Sequence, residues 1–141
     1  MQASVITVVT FCLLASAGCA THKVRFEGSP LLPAADVKVE VRTDQNQNTL
    51  VELKLRYVAP AEKLWPPKNV YVVWAQSEEG EIFQLGQLRV NEEREGHLNA
   101  TTALDRLRLL ITAEEEPRPE KPSLPYMLAT DYFTPRTGWL R

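Results

Sequence analysis

The stretch Asn69-Val70-Tyr71-Val72-Val73-Trp74-Ala75-Gln76 and its return leg Ile82-Phe83-Gln84-Leu85-Gly86-Gln87-Leu88 decide how this chain folds. The first is a run of β-branched and aromatic residues, the side chains that fit a pleated, packed surface. Between the two legs lies Ser77-Glu78-Glu79-Gly80-Glu81, a polar turn with one glycine. Strand, turn, strand is the reading this pattern predicts. Alternation puts Val70, Val72 and Trp74 on one face of the first strand and Tyr71, Val73 and Ala75 on the other. A strand apolar on both faces belongs at the centre of a sheet, covered from both sides. Gly86 interrupts the second strand and predicts a β-bulge or a close backbone approach.

Working outward, Val37-Lys38-Val39-Glu40-Val41-Arg42 alternates strictly, valines inward and charges outward. After the polar turn Asp44-Gln45-Asn46-Gln47-Asn48 the alternation resumes. Val51, Leu53, Leu55 and Tyr57 are expected to face in, with Glu52, Lys54 and Arg56 facing out. The two runs read as an antiparallel hairpin with one wet face, whose charges could pair across the strands at about 0.2–1 kcal/mol per pair. Further strands are predicted at 97–102, at 106–113 with Leu107, Leu109, Ile111 and Ala113 inward, and at 126–133. The seven candidate strands, closely spaced turns and absence of a sustained helical period predict an all-β fold. Its expected form is an immunoglobulin-like antiparallel β-sandwich, without the Cys…Trp…Cys framework of antibody domains.

The linking segments carry the remaining punctuation. Gly28-Ser29-Pro30 and Pro33-Ala34-Ala35 read as a tether, on which Val24, Phe26, Leu31 and Leu32 are available to pack at the domain edge. Trp65-Pro66-Pro67 forms a stiff loop, with Trp65 expected to cap the core because a packed indole buries a large area. Residues 114–122 form a charged, proline-rich loop that cannot be a central strand. These two loops are the candidate surface for partner contact, through Trp65, Pro66, Pro67, Pro117, Pro119 and Pro122. An aromatic beside rigid proline geometry lowers the ordering cost of binding.

At 141 residues the chain suits one domain with a core of its own. The net charge is −2 and acids and bases are interspersed, which argues against a nucleic-acid partner. His22 and His97 are the two histidines, and neither has a metal-spaced partner, so no metal or cofactor is expected. No Gly-x-Ser-x-Gly elbow, phosphate loop or calcium-loop pattern occurs, and the chain reads as non-enzymatic. The runs Glu78-Glu79-Glu81, Glu92-Glu93-Glu95 and Glu114-Glu115-Glu116 read as solvated turn charge. Asn99-Ala100-Thr101 matches a glycosylation sequon and carries no weight in a bacterial setting.

Residues 1–18 stand apart: they hold no charged side chain and a compact apolar run, Val5 to Ala15. The run is short for a membrane span and suits a signal-peptide core. Ser16-Ala17-Gly18 followed by Cys19 resembles the bacterial lipoprotein processing site, in which the cysteine becomes the acylated first residue. An ordinary cleavable signal and an uncleaved anchor remain the alternative readings. With Cys12 removed and Cys19 acylated, no disulfide is available and the domain holds by packing. The expected organisation is a signal peptide over 1–18, a lipidated tether over 19–35, the sandwich over 36–133 and a tail over 134–141 carrying Trp139. Ala20 after the cysteine resembles the pattern of outer-membrane lipoproteins, so the expected location is the bacterial envelope, facing the periplasm.

Val70-Tyr71-Val72-Val73-Trp74-Ala75, Leu85-Gly86-Gln87-Leu88, Leu109-Leu110-Ile111-Thr112-Ala113-Glu114 and the proline-rich 117–122 occur in the same order in another group. Over residues 69–128 the chain resembles the extracytoplasmic domain of anti-sigma-K-type factors. The resemblance implies the fold, an envelope location and a sensory or interaction role. It does not imply sigma-factor binding, because a signal-like segment here leads almost directly into strands. Two functions follow as expectations. The first is a non-catalytic interaction or scaffold module, held at the membrane by its lipid and bound to another envelope protein. The second is a sensory or ligand-binding module signalling through a partner.

Overall fold

The computed structural model describes residues 22–26 and 29–135. The signal-like segment, Cys19 and Trp139 lie outside the described residues. Within them the alternating stretches form strands where the period-2 pattern places them. The strands are β1 (His22–Val24), β2 (Asp36–Thr43), β3 (Thr49–Arg56), β4 (Val70–Gln76), β5 (Ile82–Leu88), β6 (Gly96–Thr102), β7 (Arg108–Glu114) and β8 (Leu128–Ala129). One 3-10 turn, Ala61–Lys63, precedes β4. Two antiparallel four-stranded sheets result, in the orders β1-β2-β3-β6 and β5-β4-β7-β8.

With β2, β3 and β6 as strands A, B and E, and β5, β4, β7 and β8 as C′, C, F and G, this is the immunoglobulin-type arrangement with one added edge strand. That edge strand corrects the tether reading. Residues 22–24 pair with β2, His22 opposite Val41 and Val24 opposite Val39. Phe26 and Leu32 are buried, packing on the domain as the sequence allowed, while Leu31 stays exposed. At the other end of the chain, the strand expected over 126–133 shortens to β8, with single bridges Phe26–Thr130 and Leu107–Phe133 completing that edge.

The central strand behaves as its composition predicts. Tyr71, Val73 and Ala75 enter the main core between the sheets beside Leu109 and Ile111 of β7, facing Val39, Val41 and Leu53 of the other sheet. Val72 and Trp74 enter a second, smaller cluster on the outer face with Leu110, packed by Val70, Ile82, Tyr126 and Ala129. The bulge also falls at the glycine: β4 pairs Val73 with Gly86 and Trp74 with Gln84, leaving Leu85 as the extra residue. A Cβ on Gly86 would stand 3.0 Å from Leu98 Cδ1, so the same position is a close approach between the sheet edges.

Two local expectations fail for identifiable reasons. Tyr57 does not face in. β3 ends at Arg56, Tyr57 adopts φ +60°, and the turned chain buries Val58 in its place. The charged face of the first sheet does not pair straight across either, because the register sets Glu40 opposite Glu52 and Lys38 opposite Lys54. Its ion pairs run along or diagonal to the strands instead, Lys54–Glu52 at 2.7 Å and Arg42–Glu52 at 3.9 Å. Asp36–Arg56 at 2.7 Å is the directly opposed exception.

The register sorts the connections to two ends. The β3–β4 loop (57–69), the β5–β6 loop (89–95), the β7–β8 loop (115–127) and residues 29–35 gather at one end. The β2–β3 and β4–β5 turns, the β6–β7 connection and Phe133 lie at the other. Since His22 sits opposite Val41, near the far end of β2, the chain enters the sandwich away from the three long loops.

Candidate functional site

The β3–β4 and β7–β8 loops, B–C and F–G in immunoglobulin terms, meet at the loop end. Each is braced to the sheet by hydrogen bonds. Tyr71 Oη donates to the Ala59 carbonyl at 2.7 Å, and burial pushes its phenol up to about 12. Lys68 N donates to the Ala61 carbonyl at 3.0 Å, closing the loop on itself. Asn69 N donates to the Glu114 carbonyl at 2.9 Å and Asn69 Nδ2 to the Glu115 carbonyl at 2.8 Å, tying the β3–β4 loop to the end of β7.

The second loop is held by Glu114, which corrects the reading of the third acidic run. Glu114 is buried at 3 % exposure at the end of β7, while Glu115 and Glu116 are solvated. Its Oε1 accepts from Ser123 N at 2.9 Å and from Thr112 Oγ1 at 2.5 Å, and its Oε2 accepts from Ser123 Oγ at 2.6 Å. Thr112 Oγ1 in turn accepts from Trp74 Nε1 at 2.9 Å. The carboxylate therefore keeps partners although it leaves water, as a buried charge requires. A buried indole on β4 is wired through two β7 side chains to the loop that covers them.

Between the braced loops lies an apolar cleft of about 260 Å³, with Leu64, Trp65 and Pro66 on one wall and Leu124 and Pro125 on the other. Leu31, Ala113 and Met127 also line it, and Lys68 supplies its single ionised side chain. The Trp65–Pro66 and Leu124–Pro125 peptide bonds are both cis. Trp65 does not cap the core. It is 95 % exposed, with Leu124 at 77 % and Leu31 at 45 %. Val58 and Ala61 close the core beneath, with Leu64 packed against it, in the place expected for the indole. A ring of this size removed from water contributes about 4–6 kcal/mol before ordering costs, so its exposure beside two leucines marks a surface with something to gain from a partner.

Of the six residues singled out from sequence, Trp65 and Pro66 line the cleft and Pro67 is exposed next to them. Pro117 lies elsewhere, its carbonyl accepting from Gln84 Nε2 at 2.8 Å. It borders a separate recess of about 390 Å³ with Glu62, Asn69, Gln87 and Arg89. Pro119 and Pro122 are half-buried in the covering loop and do not line the cleft. Leu124 and Pro125 were missed by sequence reasoning. The available signal was an apolar residue flanked by Ser123 and Pro125 inside an otherwise charged loop.

Among the described residues, no three His, Cys, Asp or Glu side chains are placed to hold a metal ion. No helix among them is long and apolar enough to cross a membrane. Comparison with family models, with curated proteins and with solved structures returns no match. The class is therefore set by geometry: a two-sheet, immunoglobulin-type β-sandwich with an apolar cleft between two of its loops.

Proposed function

We propose that this chain is an envelope-anchored lipoprotein whose β-sandwich serves as a non-catalytic interaction module, with the cleft between the β3–β4 and β7–β8 loops as its contact surface. The observation that carries the reading is the grouping of Trp65, Leu124 and Leu31, all exposed, around one cleft on loops fixed by backbone and carboxylate hydrogen bonds. Preformed loops bind with less ordering cost than mobile ones. The corresponding loops of antibody variable domains form part of the antigen site, an analogy of fold that supports the choice of end. Entry of the chain at the opposite end is compatible with an anchor at Cys19, three residues before β1, leaving the cleft turned away from the bilayer.

The test is affinity capture from envelope extracts with the wild-type chain and with a Trp65→Ser/Leu124→Ser double variant, followed by cross-link mapping. A partner cross-linked beside the cleft and lost in the double variant supports the module. A partner that survives the double variant moves the contact to another surface.

A second reading, a sensory module like the anti-sigma-K-type extracytoplasmic domain, is supported by the recess of mixed lining that sets Arg89 and Glu62 beside Val70, Leu88 and Val90. A small molecule that copurifies with the chain and is released by Arg89→Ala would favour it.

A further inference from the structure

The cleft has a polarity of its own that narrows what it can hold. Its walls are apolar, and the ammonium of Lys68 is the single formal charge among its lining residues. That side chain is 24 % exposed, and its ion pair is with Glu115 Oε1 at 3.3 Å. Glu115 is 76 % exposed, and the distance exceeds that of a tight ammonium–carboxylate bond, about 2.7–2.9 Å. An ammonium has three protons to donate, so Lys68 is held at the cleft with donor capacity to spare.

We infer that the cleft receives an extended polypeptide segment that places an apolar side chain between Trp65 and Leu124 and a carboxylate on Lys68. This rests on the reading of the cleft as the contact surface and adds the chemistry of the partner. A carboxylate from the segment displaces the weak, solvent-facing Glu115 at little cost and completes the donors of an ammonium already partly withdrawn from water. The volume of about 260 Å³ suits one or two side chains of such a segment.

Two other occupants fit less well. An anionic bilayer is attracted by clustered basic residues, but the exposed acids Glu62, Glu115, Glu116 and Glu120 are balanced by as many lysines and arginines in the same two loops. A second copy of the chain needs roughly 800 Å² of complementary surface on each partner. Three exposed apolar side chains around a small cleft are a smaller footprint.

The experiment selects a displayed library of random linear dodecapeptides on the full chain in detergent. The recovered peptides are then measured against wild type, Lys68→Gln, Lys68→Arg and Trp65→Ser. The inference expects an apolar residue within two positions of Asp or Glu in the enriched peptides. It expects affinity to fall about tenfold or more in Lys68→Gln, the loss of one charge-assisted hydrogen bond, and to recover largely in Lys68→Arg. Trp65→Ser should abolish binding. Enrichment without acidic residues, equal binding by Lys68→Gln, or no enrichment overturns it.

Two controls name the rivals. Binding to phosphatidylglycerol vesicles that Trp65→Ser removes would replace the peptide with a bilayer. A dimer in sedimentation that Trp65→Ser disperses would replace it with a second copy. Failure here is separable from failure of the contact surface. An envelope partner lost in Trp65→Ser/Leu124→Ser but retained in Lys68→Gln keeps the surface and removes the carboxylate. A partner retained in both removes the surface itself.

Discussion

Ser123 donates two hydrogen bonds to the buried carboxylate of Glu114, from its backbone N at 2.9 Å and from its hydroxyl at 2.6 Å. This pair closes the β7–β8 loop over the outer face of β4 and β7. The Glu114 carbonyl meanwhile accepts from Asn69 of the β3–β4 loop, so one residue positions both walls of the cleft. Next to Ser123 stands Leu124, 77 % exposed, the side chain that this closure presents.

Removing the carboxylate should therefore cost stability and cleft geometry together. Glu114→Ala leaves the buried Thr112 hydroxyl without its acceptor and releases Ser123 from the end of β7, and we expect a loss on the order of 3 kcal/mol in urea unfolding. Ser123→Ala removes one hydroxyl donor and should cost about 1–2 kcal/mol. Equal stability of Glu114→Ala and wild type would show that the loop is held by its apolar contacts alone.

The two tryptophans on either side of the loop should respond in opposite ways. Trp74 is 2 % exposed and hydrogen-bonded to Thr112, and Trp74→Ala should cost about 3–5 kcal/mol. Trp65→Ser, at an exposed site without packing beneath it, should stay within about 0.5 kcal/mol of wild type. Thermal denaturation of the two variants side by side checks both, and a matching drop in Tm would place Trp65 in the core after all.

Stability should fall at both extremes of pH. The Arg56 hydrogen bond holds the Asp36 carboxyl below its usual value, the Asn48 N–H does so for Asp44, and Lys54 does so for Glu52. A depressed carboxylate contributes stability above its unfolded pKa and loses it as pH falls through the folded one. The acid limb should thus begin below pH 4.5 for Glu52 and 3.8 for the two aspartates. High salt should flatten the parts due to Asp36 and Glu52, whose half-exposed partners Arg56 and Lys54 are charged, and spare that of Asp44, which neutral N–H groups hold.

At the alkaline end, burial favours the neutral phenol of Tyr71 and raises its pKa from 10.0 to about 12. The stability it contributes is complete below pH 10 and is lost as pH rises toward 12. Lys54, raised by its hydrogen bond to Glu52, adds a loss above its ordinary 10.5. Tyr71→Phe should shallow the alkaline limb without abolishing it, as followed by urea unfolding at successive pH values.

Cys19 is expected to be the mature N-terminus and to carry the anchor. Two or more acyl chains make attachment stable, at about 0.8 kcal/mol per buried CH₂. Mass spectrometry of the N-terminal peptide should find it acylated, and Cys19→Ser should leave the membrane fraction. An unmodified Cys19 would leave a secreted or differently anchored sandwich.

Alternation along β2, β3, β4 and β7 was legible because it is local: side chains two apart share a face whatever the rest of the chain does. The double-sided burial of β4 and the bulge at Gly86 were legible for the same reason, being written in one stretch of residues. The added strand β1 was not, since three residues at 22–24 acquire their ladder from β2 and carry no pattern of their own. Which member of Glu114-Glu115-Glu116 turns inward was equally hidden, because Ser123 reaches it from nine residues away only after the loop has folded back.

By itself, then, the sequence determined an all-β chain, the inward faces of its main strands and the central place of Trp74, all consequences of a period-2 backbone in water. Tertiary structure alone decided that Trp65 faces solvent, that Leu124 stands across a cleft from it, and that Glu114 braces both loops. Those outcomes depend on what lies opposite a side chain in space, and long-range register sets that while local periodicity does not.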